Sequence, residues 1–160
     1  MRVGLGYDIH PFGRGPLVLG GVTIDAPGLE GHSDADALAH AIADSLLGPA
    51  GLPDLGTLYP SSDERLANAS SMDLLRDVAG RVADAGWSVA NVDVVVAAEQ
   101  PKLAPHLAAM RANVLSALGP AGGETHVAIR PKHGEGIGAI GRGEGIVVWA
   151  VALLEQSMRA

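Results

Sequence analysis

The stretch GEGIVVWAVALLEQ, residues 143–156, decides the fold, because its apolar run is long enough for either a buried helix or a long strand. Val147, Val148, Trp149 and Val151 are β-branched or aromatic and favour the strand. Few polar residues interrupt it, so both of its faces are expected to be covered. Working back from it, ETHVAIRP (124–131) and WSVANVDVVVAAEQP (87–101) read as further long strands, the second stopped at Pro101. MRVGLGYDI (1–9) reads as a short first strand, and GPLVLGGVTID (15–25) as a hairpin about Gly20-Gly21. Helical spacing runs through SDADALAHAIADSLLG (33–48), MDLLRDVAGRVADAG (72–86) and LAPHLAAMRANVLSALG (103–119). Ser33 is the expected N-cap of the first helix and Gly48 its stop; Ser70 or Ser71 caps the second. LPDLGTLYPSSDERLANAS (52–70) has the punctuation of a long loop. Strands alternating with helices predict an α/β or α+β layered sandwich with right-handed crossovers, one domain over residues 1–160. Helices can cover only one face of so small a sheet, which leaves the other face for subunits.

Composition narrows the function. The chain is 48% hydrophobic but only 3% aromatic, so its core is built from Ala, Val, Leu and Ile. A net charge of −7 argues against general nucleic-acid binding and leaves room only for local basic sites that hold small phosphates. With no cysteine, disulfides, thiolate nucleophiles and cysteine zinc sites are excluded. MRVGLGYDIH lacks the form of a signal peptide, and no run of 18 apolar residues occurs, so no membrane association and a cytoplasmic location are expected.

Against that background, GLGYDIHPF (4–12) places Asp8 and His10 two residues apart in a strand, hence on one face at its end. In the first helix Asp36, His40 and Asp44 share a stripe at i+4 spacing, turned away from the apolar stripe Leu38, Ile42 and Leu46. If the strand end meets the polar stripe, Asp8, His10 and His40 form a three-ligand site with an open fourth position, which suits a catalytic Zn²⁺. Taken alone, an Asp-x-His pair is short and common, and a surface pair beside an unrelated helical histidine is its ordinary reading.

GYDIHPF, GHSDADALAHAIADSLLG, DLGTLYPSSD, NVDVVVAAEQPKLAPH and GRGEG, in that order over almost the whole chain, resemble the 2-C-methyl-D-erythritol 2,4-cyclodiphosphate synthase family. The resemblance implies an α+β fold: a four-stranded mixed sheet with helices on one face, the sheets facing the axis of a homotrimer whose active sites lie at subunit interfaces. It also implies conversion of 4-diphosphocytidyl-2-C-methyl-D-erythritol 2-phosphate to the cyclodiphosphate and CMP, in non-mevalonate isoprenoid biosynthesis. By the same resemblance Asp8, His10 and His40 are zinc ligands, with Asp8 and His10 also facing the substrate, and the zinc is a Lewis acid toward the diphosphate. His32 and Ser33 match the pair that contacts the diphosphate. Asp54, Leu55 and Gly56, with Tyr59 and Asp63, match a loop that holds the methylerythritol and closes over residues 54 to 70. Ala98 through Lys102 to Ala104 match the cytidine pocket, with Lys102 near phosphate. Lys132, His133 and Gly134 match substrate-contacting positions, Glu135 the ligand of a second divalent metal, Mg²⁺ or Mn²⁺, and Arg142 a phosphate-contacting arginine. His32 and His133 are the implied catalytic residues.

This chemistry asks for no protein nucleophile, because the attacking phosphate belongs to the substrate; positioning and charge neutralisation carry it. The chain departs from the family pattern at three places. KHGE (132–135) stands where Thr-Thr-Thr-Glu is usual, so His133 replaces a donor threonine; Ala139 replaces a phenylalanine and Ser61 an aspartate. These departures bear on the phosphate contacts and the seating of the substrate. A zinc phosphoesterase with a water nucleophile would use the same open metal site, and a non-catalytic trimer that binds isoprenoid diphosphates along its axis would use Arg142 and the apolar fourth strand.

Overall fold

Five strands account for the sheet: β1 (Arg2–Leu19), β2 (Val22–Leu29), β3 (Trp87–Ala97), β4 (His126–Lys132) and β5 (Gly145–Gln156). The computed structural model describes residues 1–31, 33–63, 69–119 and 125–157. The strands run in the order β2-β1-β5-β3-β4, and every neighbouring pair is antiparallel except β3 with β4, which is parallel. The mixed α+β architecture is as expected, but five strands replace the expected four. The fifth is β2, which the second half of β1 carries into the sheet as an edge strand. The chain stays extended through Pro11 to Pro16, so the expected short strand and the first arm of the hairpin are one 18-residue strand. Its first part pairs with β5 (Arg2 opposite Leu154 to Pro11 opposite Gly145), and its second part pairs with β2 through two register shifts between Phe12 and Leu17. The hairpin turns at Gly20-Gly21, both at positive φ, as its sequence predicts. β3 ends at Ala97, short of Pro101.

Three long helices, α1 (Ala37–Ala50), α3 (Ser71–Asp84) and α4 (Leu107–Leu118), pack on one face of the sheet; α2 (Leu55–Leu58) and α5 (Gly138–Gly141) are single turns. α1 starts later than expected. Asp36, not Ser33, is its N-cap, and Gly51 in the left-handed region, not Gly48, follows its last residue. Leu38, Ile42 and Leu46 are fully buried, each stabilising the fold by about 1.5–3 kcal/mol.

The seat of α1 is set by two glycines of β1. A Cβ on Gly6 would lie 1.8 Å from the carbonyl oxygen of Ala41, and one on Gly4 2.1 Å from that of Ser45. Only glycine lets the helix backbone come so close to the strand, and the helix then crosses the same face of β1 from which Asp8 and His10 project. The opposite face of the sheet exposes Val3, Leu5, Tyr7 and Ile9 of β1 and Trp149 and Val151 of β5, with the Tyr7 and Trp149 rings 5.9 Å apart. Among the described residues no helix is long and apolar enough to cross a membrane.

Candidate metal centre and active site

Asp8 and His10 leave the helix-facing side of β1, and the first turn of α1 brings His40 onto them. One ligand atom from each lies within 4.8 Å of the others, so the three could share a metal ion. The tautomers support that use. Nδ1 of His10 lies 2.6 Å from the carbonyl oxygen of Glu30, which only a protonated nitrogen can satisfy. Nε2 then carries the lone pair; it is buried, has no hydrogen-bond partner, and lies 3.0 Å from Asp8 Oδ2 without the alignment of a hydrogen bond. Nδ1 of His40 faces the same Asp8 oxygen at 3.1 Å. A carboxylate oxygen with two imidazole nitrogens turned toward it is a ready-made cation site, and the donor set of two nitrogens and one oxygen fits a borderline-soft divalent ion.

Electrostatics agree. Burial alone would raise the Asp8 carboxyl, but His10 and His40 outweigh it and hold the pKa down at about 2. The nearby Asp8 carboxylate raises the His10 pKa above its ordinary 6.5, against the opposing effect of burial. A metal bound here would therefore compete with a proton for one place.

A cavity of about 370 Å³ opens over this cluster, lined by Asp8, His10, Ser33, His40, Asp44 and Leu55 with residues of the following turn. It gathers most of the expected zinc and methylerythritol residues: Gly56 and Tyr59 line it too, as does Ser61, one of the three departures. Ser33 sits at φ 60, its hydroxyl 3.4 Å from His40 Nε2, so it belongs to the site and not to the helix cap. Asp44, on the polar stripe, is a cavity residue that the sequence reading does not single out. It accepts from the Leu55 N–H at 2.8 Å and so ties α2 to α1 beside the Asp8–His10–His40 cluster. Asp36, on the same stripe, goes the other way. It is fully buried and accepts from the N–H groups of Gly20, Gly21, Leu38 and Ala39, locking the hairpin to the start of α1. Burial, with the nearby Asp34 carboxylate, raises its pKa against the Gly21, Gly20 and Ala39 donors.

Other expected contacts are committed locally. Asp54 caps α2, its Oδ1 accepting from Thr57 N at 2.7 Å, and the Thr57 hydroxyl together with that N–H lowers its pKa. The Tyr59 hydroxyl donates to Asp77 of α3, where Arg81 also donates to Asp77 at 2.8 Å. Asp63 lies in the turn after Pro60 and does not line the cavity. His32 lies outside the described residues, as do positions 64–68 of the expected closing loop.

A second cavity, of about 150 Å³, is lined by Ala98, Pro101, Lys102, Leu103, Ala104, Pro131, Lys132 and His133. It brings the expected cytidine segment and the start of KHGE together. Gly134 and Glu135 follow in the turn; Gly134 N donates to Glu99 Oε2 at 3.0 Å, and Glu135 sits at φ 54. Arg142 is exposed and pairs with Glu144 at 2.6 Å. The two cavities share no lining residue, yet they open on one end of the sheet. Ile9 pairs with Val147, Val147 with Ala97, and Ala97 with Lys132. Three strand spacings thus separate the metal strand from Lys132, about 14 Å.

Three side chains that could hold a metal ion thus sit in the crook of an α+β sandwich, with a lysine-flanked cavity along the same sheet end. Residues 1–155 match the YgbB family, and the chain belongs to it. It is 50% identical over 163 residues to the 2-C-methyl-D-erythritol 2,4-cyclodiphosphate synthase of Rubrobacter xylanophilus, covering 98% of this chain and 96% of that one. It is 52% identical over 155 residues to the "Bifunctional enzyme IspD/IspF" of Anaeromyxobacter sp., covering 96% of this chain but only 40% of the longer relative. Among solved structures it resembles the CDP complex of IspF from Plasmodium falciparum, with a TM-score of 0.83 and 31% identity over 98% of this chain and 97% of that one.

Proposed function

We propose that the chain is a 2-C-methyl-D-erythritol 2,4-cyclodiphosphate synthase, one catalytic unit over residues 1–160, which cyclises 4-diphosphocytidyl-2-C-methyl-D-erythritol 2-phosphate and releases CMP. The observation that carries this reading is the Asp8–His10–His40 cluster, opening into a cavity at one end of the sheet with the lysine-flanked cavity along the same edge. In the reaction a 2-phosphate oxygen forms a bond to the distal phosphorus of the diphosphate, and the bond from that phosphorus to the CMP oxygen breaks. Nucleophile and leaving group both belong to the substrate, so the chain positions them and offsets charge.

We assign Zn²⁺ to Asp8, His10 and His40, where it would supply Lewis acidity toward a phosphate oxygen. Glu135 is the proposed ligand of a second ion, Mg²⁺ or Mn²⁺, at the diphosphate. Ser33 and His32 hold the diphosphate beside α1; Leu55, Gly56 and Tyr59 wall the sugar, with Asp54 and Asp63 on the same loop. Backbone at Ala98, Lys102 and Ala104 holds the cytosine, and Lys132, Gly134 and Arg142 meet the phosphates. His133, beside Lys132 in the second cavity, takes the place of a donor hydroxyl. The exposed apolar sheet face supports a homotrimer built around it, with active sites at subunit interfaces. A cytoplasmic location goes with this reading.

Phosphorus NMR of the purified protein with the cytidine substrate tests it. The expected products are the cyclodiphosphate and CMP. An open-chain phosphate would make the protein a phosphoesterase, and the absence of turnover with retained binding would make it a diphosphate-binding trimer.

A further inference from the structure

Behind His40 lies a chain of hydrogen bonds that the reaction as described does not use. We propose that Ser71 and Asp34 are positioning residues for the metal: a carboxylate–hydroxyl relay that fixes the tautomer of His40 and turns its Nδ1 toward the ion. The relay rests on the reading that Asp8, His10 and His40 hold a metal.

Ser71 is the first residue of α3 and is 1% exposed. Its hydroxyl has three polar neighbours: the Asp34 carboxylate in a short contact, His40 Nε2 at 2.9 Å and Ser33 Oγ at 3.1 Å. A hydroxyl has one proton to give, and an ionised carboxylate can only accept. The Ser71 proton therefore goes to Asp34. His40 Nε2 must then be the donor to Ser71 Oγ, and Ser33 supplies the other hydroxyl proton. A neutral imidazole protonated at Nε2 has its lone pair at Nδ1, the atom that faces Asp8 Oδ2 at 3.1 Å. Asp34 is itself held in place. It accepts from the Ser71 N–H at 3.2 Å and 3.1 Å through its two oxygens and from the Asp36 N–H at 3.3 Å, and its own N–H donates to Ala69. Donation of the second ring N–H to an oriented oxygen raises the basicity of a ligating histidine and fixes its ring plane, and loss of such a partner typically costs about 10–100-fold in metal affinity.

The test titrates Zn²⁺ into the metal-free full chain against a chromogenic chelator, with thermal melts of the metal-free proteins alongside. Ser71→Ala is expected to bind Zn²⁺ about 10–100-fold more weakly, and Ser71→Thr, which keeps the hydroxyl, to recover most of that loss. Ser70→Ala, which removes a side chain without a cap bond, should match wild type. Nitrogen NMR of metal-free wild type above the histidine titration range should show His40 as the Nε2–H tautomer, and Ser71→Ala a mixture. If Ser71→Ala fails to fold, Asp34→Asn takes its place, with weaker binding and the same loss of tautomer preference expected. Affinity within twofold of wild type in the folded variant, or a Thr variant as weak as the Ala variant, overturns the relay. Wild type that loads no zinc overturns the metal reading and the relay together; wild type that loads one equivalent while Ser71→Ala is unchanged overturns the relay alone.

Discussion

At the scale of single residues the centre is governed by competition between a proton and a cation. Asp8, with a pKa of about 2, stays ionised over the working range, so the pH dependence of metal uptake is read at His10. His10 has a raised pKa, so its proton persists above pH 6.5 and must leave before Nε2 can bind a metal. Zn²⁺ affinity is therefore expected to climb with pH through that range, by about tenfold per unit for each proton released. Chelator competition between pH 5.5 and 8 measures it, and a flat profile would count against His10 as a ligand. In the metal-free protein the depressed Asp8 pKa contributes stability above its ordinary 3.8, lost as the pH falls toward about 2. His133 is tested separately. If its imidazole donates to phosphate, His133→Ala should lower kcat while His133→Thr keeps most of it. An unchanged kcat in His133→Ala would return His133 to a solvent-facing loop residue.

At the scale of elements, three helices meet the site for different reasons. α1 reaches Asp8 because Gly4 and Gly6 let it lie directly on β1. α3 brings Ser71 to the back of His40. α2 is a single turn with no buried residue, and its position depends on side-chain ties: Asp44 to Leu55 N, and Tyr59 to Asp77. Burial and the Asp77 carboxylate push the Tyr59 phenol up to about 12 from 10. The neutral phenol is the form the fold prefers, so the tie contributes in full below pH 10 and is lost as the pH rises toward 12. Tyr59→Phe is thus expected to cost about 1 kcal/mol near neutrality, since a bond to a carboxylate is discounted where it is partly exposed. Urea denaturation of both proteins should show that difference shrinking between pH 10 and 12. A constant difference would mean that the phenol's packing, not its proton, holds the turn.

For the whole molecule the open sheet face is the governing feature. Trp149 and Val151 are 40% and 42% exposed, and Val3 and Leu5 more than two-thirds exposed, all on strands whose other side is the core. So continuous an apolar strip on a sheet marks an interaction surface. A double substitution, Leu5→Lys with Trp149→Glu, places charges in that strip and touches neither cavity. Light scattering is expected to give a trimer for wild type and a monomer for the variant, which should still load one Zn²⁺ per chain but lose turnover if the sites are shared. A wild-type monomer at micromolar concentration would remove the trimer from the proposal.

Periodicity made the Asp8–His10–His40 cluster legible: an Asp-x-His on a strand and a histidine on the polar side of an amphipathic helix report which way each side chain points. The β-branched run of β5, the Gly-Gly hairpin and the order of the family's motifs were equally local and equally readable. What periodicity cannot report is the partner. Asp36 and Asp44 share one helical stripe with His40, yet the first is swallowed by four backbone N–H groups, two of them from the hairpin, while the second lines the cavity. The union of two short strands into β1 depended on which strands stood on either side of Pro11 to Pro16. Asp34 and Ser71, 37 positions apart, meet only because α3 packs against the start of α1. Local sequence set the direction of each side chain; the packing of distant segments, through burial and the need to satisfy every buried donor and acceptor, decided which of those side chains became a site.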